Sequence, residues 1–155
     1  MNAEIIQNWL IAISFIVTTI VTIVLQIRIN NTNKKNLLNQ QLFELQRLSF
    51  INPHVENEDY TYQWNELKEK YKQGILKDKG LDDFLKYDVY TEMLFNFIYK
   101  SLEFYKTKKN LEKFIDFKSW INTHKYSWRN PLQTNSNKDV YGEQMFNIVN
   151  SWIDW

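Results

Sequence analysis

Cysteine is absent from the 155 residues. That excludes disulfides, thiolate metal sites and cysteine nucleophiles. Glycine occurs three times and proline twice. A sandwich or barrel of short strands needs a turn roughly every 8–12 residues, and so few turn residues point instead to an all-α fold. The three isolated glycines form no G-x-x-x-x-G-K-[ST], G-x-G-x-x-G or G-x-S-x-G motif, so the common nucleotide and hydrolase chemistries are not expected. An excess of charge of one sign is also missing, with 19 Lys and Arg against 18 Asp and Glu. Dedicated nucleic-acid binders are visibly basic, so no nucleic-acid partner is expected. Histidine occurs only as His54 and His124. Neither has a second histidine or a carboxylate at metal-ligand spacing, so no metal and no cofactor are expected.

Against these absences stands one long apolar run, residues 9–29, WLIAISFIVTTIVTIVLQIRI. From Trp9 to Leu25 it carries no charge, and its only polar groups are the hydroxyls of Ser14, Thr18, Thr19 and Thr22. Hydroxyls bond back to their own helix and are tolerated in lipid. About 20 apolar residues cross a hydrocarbon core of about 30 Å. A buried core helix is seldom apolar all round over this length. A cleaved signal peptide carries positive charge before its apolar run and small residues after it. Here the run is preceded by MNAE and followed by QIRINNTNKK, which offer neither. Residues 1–29 are therefore expected to be a retained span, with the lipid bilayer as partner. Arg28, Lys34 and Lys35 flank its C-terminal side and mark the cytoplasmic face. The expected topology is an N-terminus outside a bacterial inner membrane, Trp9 at the outer interface, and the remainder in the cytoplasm.

Residues 30–52 are expected to form a juxtamembrane or stalk helix. In it Leu38, Leu42, Leu45 and Leu48 recur at steps of four, three and three, and Pro53 closes it. Residues 53–155 are expected to form a small antiparallel helical bundle. Helical periodicity covers about residues 57–73, 82–106, 110–127 and 139–154. Gly74 and Gly80 are expected to flank a turn, and NPLQTNSNKD reads as a polar loop. The second pattern, with Phe84, Tyr87, Tyr90, Leu94, Phe97, Ile98 and Leu102, has the widest apolar face and is the expected central helix.

Few residues bear chemistry. Asp88, Glu92 and Glu103 share one helical face, and Glu92 and Glu103 are the weak carboxylate candidates, with His124 beside them, for acid–base work. The di-iron pattern of bundles needs Glu-x-x-His, which is absent. No catalytic residue is assigned on this basis. KTKKNLEK, residues 106–113, reads as a helix connection or a contact with anionic headgroups. Six Trp, nine Tyr and ten Phe are a heavy aromatic load. Most are expected to fill the core. Trp128, Arg129, Trp152 and Trp155 are the candidate interaction surface, because Trp and Arg are enriched at protein–protein hot spots.

The segment ELQRLSFINPHVENE, the aromatic helix YTEMLFNFIYKSLEFY, then FKSWI and YGEQMFNIVNSWI, behind one N-terminal span, resemble a broad class of small bacterial membrane-anchored helical proteins of uncharacterised role. The resemblance covers most of the chain and rests on core and cap residues. It implies no catalytic motif, and some such proteins resemble components of phage-resistance loci. Two roles follow from the sequence. One is a non-enzymatic interaction, scaffold or sensor module that binds a protein partner or itself. The other is an oligomerising membrane effector whose spans cluster through Ser14, Thr18 and Thr22 and perturb the bilayer.

Overall fold

The computed structural model describes the backbone of residues 3–154 and the side chains of residues 7–154. Among the described residues there is no strand. The elements are α1 (Ala3–Ile51), a 3₁₀ turn (Pro53–Glu56), α2 (Glu58–Tyr62), α3 (Trp64–Lys72), α4 (Asp78–Tyr105), α5 (Lys108–Glu112), α6 (Phe117–Thr123), α7 (Lys125–Arg129) and α8 (Asn137–Asn150). The chain divides into two compact units, residues 1–37 and 38–155.

The first unit is the N-terminal part of α1. Its large apolar side chains meet water in the isolated chain, from Trp9 at 65% exposure to Ile29 at 52%. The helix is long and apolar enough to cross a membrane. The hydroxyls in it are satisfied locally: Thr19 donates to the Phe15 carbonyl at 2.8 Å and Thr22 to the Thr18 carbonyl at 2.8 Å.

The second unit is an all-helical bundle around α4. Phe84, Tyr87, Tyr90, Leu94, Phe97 and, directly after it, Ile98 and then Leu102 follow a helical three-to-four repeat and are buried, which makes α4 the central helix. The last turns of α1 belong to this unit as well. Leu38 and Leu45 are buried in its core, with Leu42 and Leu48 packed beside them. Residues 38–52 are thus bundle rather than a separate stalk, because the leucine stripe needs the apolar side of the bundle to leave water.

The short helices differ from the long periodic runs. The 57–73 run breaks at Gln63, between α2 and α3. The 110–127 run breaks into α5, α6 and α7. Asp116 starts α6 by accepting from the Ser119 amide at 3.0 Å, and that local cap competes with an unbroken helix. Gly80 lies in the first turn of α4, not at a turn boundary; only Gly74 caps, at φ +68° after α3. α4 stops where Lys106 takes a left-handed φ of 65°. α8 is kinked at Gly142 (φ 78°, ψ 167°), a backbone region that is essentially glycine-only.

Candidate functional site

Three side chains, from α4, α6 and the α6–α7 junction, converge on Glu56. It ends the 3₁₀ turn that Pro53 initiates, so its carboxylate is aimed back at α4 and α6. Trp120 of α6 donates its indole N–H to Glu56 Oε1 at 2.6 Å, and the Tyr90 hydroxyl donates to the same oxygen. His124, at the junction of α6 and α7, sets Nε2 3.3 Å from Glu56 Oε2 and Nδ1 3.1 Å from the Tyr87 hydroxyl. Tyr87 and Tyr90 stand one turn apart on α4, with ring centroids 5.7 Å and 5.6 Å from that of the imidazole. Burial pushes the Glu56 carboxyl up, but the bonds from His124, Tyr90 and Trp120 outweigh it and hold it below the usual carboxylate range. Burial first, then the nearby Glu56 charge, raises the Tyr90 phenol far above its ordinary value. The Tyr87 phenol is raised too, again chiefly by burial.

A carboxylate, an imidazole and a hydroxyl in line have the parts of a proton relay. His124 and Tyr87 are 0% exposed, whereas the Glu56 side chain is 32% exposed, so the carboxylate is the part of the network that meets solvent. The network ties the turn after α1 to α4, α6 and α7, and every polar group in it has a partner.

A second polar cluster holds the loop 130–136. Lys68, buried in α3, donates to Asn130 Oδ1 at 2.6 Å, to the Asn130 carbonyl at 3.2 Å and to the Pro131 carbonyl at 2.6 Å. Trp64 adds an indole N–H to the Asn130 carbonyl at 2.8 Å. Burial, then the charge of Lys72, lowers the Lys68 ammonium from its ordinary value. On the far side of the loop Gln133 donates to Glu92. Beneath it lies a cavity of about 130 Å³ lined by Asp88, Glu92, Trp64 and Tyr141 among others. Burial, then Glu92, pushes the Asp88 carboxyl up to about 6.

The carboxylate candidates separate on this geometry. Glu92 borders the Asp88 cavity, whereas Glu103 is exposed in a different groove beside Lys106 and Tyr99. Their separation in sequence puts them about 16 Å apart along α4, too far to act on one atom. Their expected pairing is therefore corrected: equal angle on a helix is not proximity along it. Among the described residues no three His, Asp or Glu side chains are grouped to hold a metal ion.

The aromatic candidates are also corrected. Trp128 is 2% exposed, stacked on Tyr141, and donates to Asn150 Oδ1 at 3.2 Å. Trp152 is 1% exposed, stacked on Phe117, and donates to Glu112 Oε1 at 2.8 Å. Both indoles have side-chain acceptors, so their apolar bodies can fill the core. Trp155 lies outside the described residues. Arg129 is exposed and borders the 130–136 loop. The basic connection 106–113 is built into the fold: Thr107 caps α5 and the Lys108 ammonium lies 5.7 Å over the Trp152 ring.

The apolar surface of the bundle lies elsewhere. A groove of about 230 Å³ is lined by Leu48 and Asn52, Val55 of the 3₁₀ turn, and Leu85, Lys86, Val89 and Tyr90 of α4. Val89 is 53% and Leu85 39% exposed, while Tyr90 at its floor is the same residue that donates to Glu56. Sequence reading missed this groove because Leu85 and Val89 look like ordinary members of the broad α4 face. No family model, curated protein or solved structure matches the chain.

Proposed function

We propose that the chain is a single-pass membrane-anchored helical protein whose bundle is a non-enzymatic interaction module, acting as scaffold or sensor at the bacterial inner membrane. The observation that carries this reading is the contrast within α1. Its first part exposes an uninterrupted apolar surface, while Leu38 and Leu45 further on are buried. Apolar area of that extent is stable where lipid replaces water. Arg28, Lys34 and Lys35 favour a cytoplasmic bundle. The interaction role draws on the groove between the end of α1 and α4, where exposed Leu85 and Val89 flank a concave apolar floor suited to a hydrophobic side chain of a protein partner.

The absence of native cysteine makes topology directly testable. A single cysteine at exposed Lys100 should react with a membrane-impermeant maleimide only after the inner membrane is permeabilised. Labelling of intact spheroplasts would place the bundle outside and refute the topology. A photo-crosslinking residue at Val89 should capture one defined protein in the native membrane, and none from Lys100. An equal or empty pattern at both sites would refute the groove as the contact.

A further inference from the structure

The part of α1 inside the bundle has two faces. Leu38 and Leu45 point into the core. On the opposite side Phe43 is 67% and Phe50 89% exposed, two helical turns apart. Between and before them Gln46 and Asn39 are exposed on the same stripe. The order Asn39, Phe43, Gln46, Phe50 has steps of four, three and four, the spacing of a heptad seam.

We infer that this stripe is a pairing surface for a second copy of the chain, joined to it in parallel. Three features select that occupant. First, the seam is self-matching: in a parallel pair Phe43 meets Phe43, Phe50 meets Phe50, and the amides of Asn39 and Gln46 meet their own kind. An amide paired with an amide satisfies donor and acceptor together. A heterologous apolar partner leaves those amides without bonds. Second, the four seam residues carry no charge, and the two charges between Asn39 and Phe50 pair with each other: Arg47 Nε donates to Glu44 Oε2 at 2.9 Å. Two copies therefore meet without like-charge repulsion. Third, copies anchored by the preceding part of the helix share one orientation and one height, which is what a parallel in-register seam requires; this feature rests on the membrane reading above. The pair is isologous, with one patch serving both chains.

Because the chain lacks cysteine, single-cysteine variants report the seam without background. In full-length protein in membranes, mild oxidation of Asn39→Cys, Phe43→Cys, Gln46→Cys and Phe50→Cys should give disulfide-linked dimers several-fold more readily than Glu44→Cys and Ile51→Cys on the flank of the helix. Cross-linking equal at all six positions, or absent from the four, overturns the inference. So does a cross-link from the four to a protein of different mass. The double variant Phe43→Ser with Phe50→Ser alters exposed side chains only, so the bundle should melt unchanged while the dimer is lost; a persisting dimer also overturns it. Sedimentation with membranes is scored separately. An aperiodic pattern in protein that sediments refutes the pairing and leaves the anchor standing, and a periodic pattern in protein that stays soluble does the reverse.

Discussion

Residues 9–29 and the α4 core are both dense in large apolar side chains, yet they have opposite fates. Ile16 in the first unit is 55% exposed, and Ile98 in the second is 0% exposed. The bundle core is rich in rings packed on one another: Phe97 packs against Phe114, Phe117 and Trp120, and Trp64 stacks on Phe84. The first unit has no such covering. The difference teaches that hydrophobicity alone does not say what excludes water. In the bundle other parts of the same chain do it; along residues 9–29 no other part of the described chain does. Polar groups follow the same division. Thr19 and Thr22 bond to their own helix, whereas Glu56 gathers donors from residues as distant as His124.

The sharpest way to break that comparison is to place one arginine in each region. Ile98→Arg should abolish cooperative unfolding of the bundle, because an unpaired charge in a packed core exceeds the stability of a small domain. Circular dichroism melting reads the result. Ile16→Arg should leave the bundle's melting curve unchanged and weaken membrane retention, in line with about 3 kcal/mol for arginine at the centre of a span. If Ile16→Arg lowers the melting temperature, the two regions are not independent.

Removing the centre of the polar network comes next. Glu56→Ala strips the acceptor from Tyr90, Trp120 and His124 and should cost about 3–5 kcal/mol, from several buried groups losing partners at about 1–3 kcal/mol each. A urea titration measures it, and a loss under about 1 kcal/mol would mean water replaces the carboxylate.

Gly142→Ala should destabilise by about 1–3 kcal/mol, since alanine does not take that φ and ψ without strain. Nothing crowds the position, so the cost is purely in the backbone. Gly80→Ala should act in the other direction, stabilising by up to about 1 kcal/mol, because Gly80 sits in a helix without a positive φ. Thermal denaturation of the two variants compares a glycine that is needed with one that is not.

The smaller effect is one of pH. The folded Asp88 pKa of about 6 lies above its unfolded value of about 3.9. The folded state therefore binds the extra proton, and this contribution to stability is full below about pH 4 and lost as pH rises through about 6. Glu56 has the opposite sign: its contribution is present above the ordinary glutamate range and lost as pH falls through its lowered folded value. Asp88→Asn should remove the decline between about pH 4 and 6, gaining on the order of 1 kcal/mol at pH 7 after solvent screening. Chemical denaturation at about pH 4, 6 and 7 reads the slope; an unchanged slope contradicts the assignment.

The apolar run, the all-helical class and the central role of α4 were legible in the sequence, because each rests on periodicity extended over many residues. The breaks at Gln63 and Asp116 were not, since a local cap and a distant packing partner decide them within a few residues. The Glu56 network was invisible for a different reason. Glu56 and His124 are 68 positions apart, and no local pattern brings them together. The two tryptophans taken for a surface were misjudged because Trp128 and Trp152 each find an acceptor, Asn150 and Glu112, that spacing does not reveal. The surface apolar residues that replace them, Phe43, Phe50 and Val89, sit on helices whose other faces are core, and burial alone separates the faces.

The central claim is that one chain contains two regions made stable by different surroundings. The measurement that tests it most directly is alkaline carbonate extraction of membranes carrying the full chain, set beside residues 38–155 expressed alone. The account predicts that the full chain stays in the pellet until detergent is added, and that the fragment is soluble and melts cooperatively. A full chain released by carbonate, or a fragment without a cooperative transition, would contradict it.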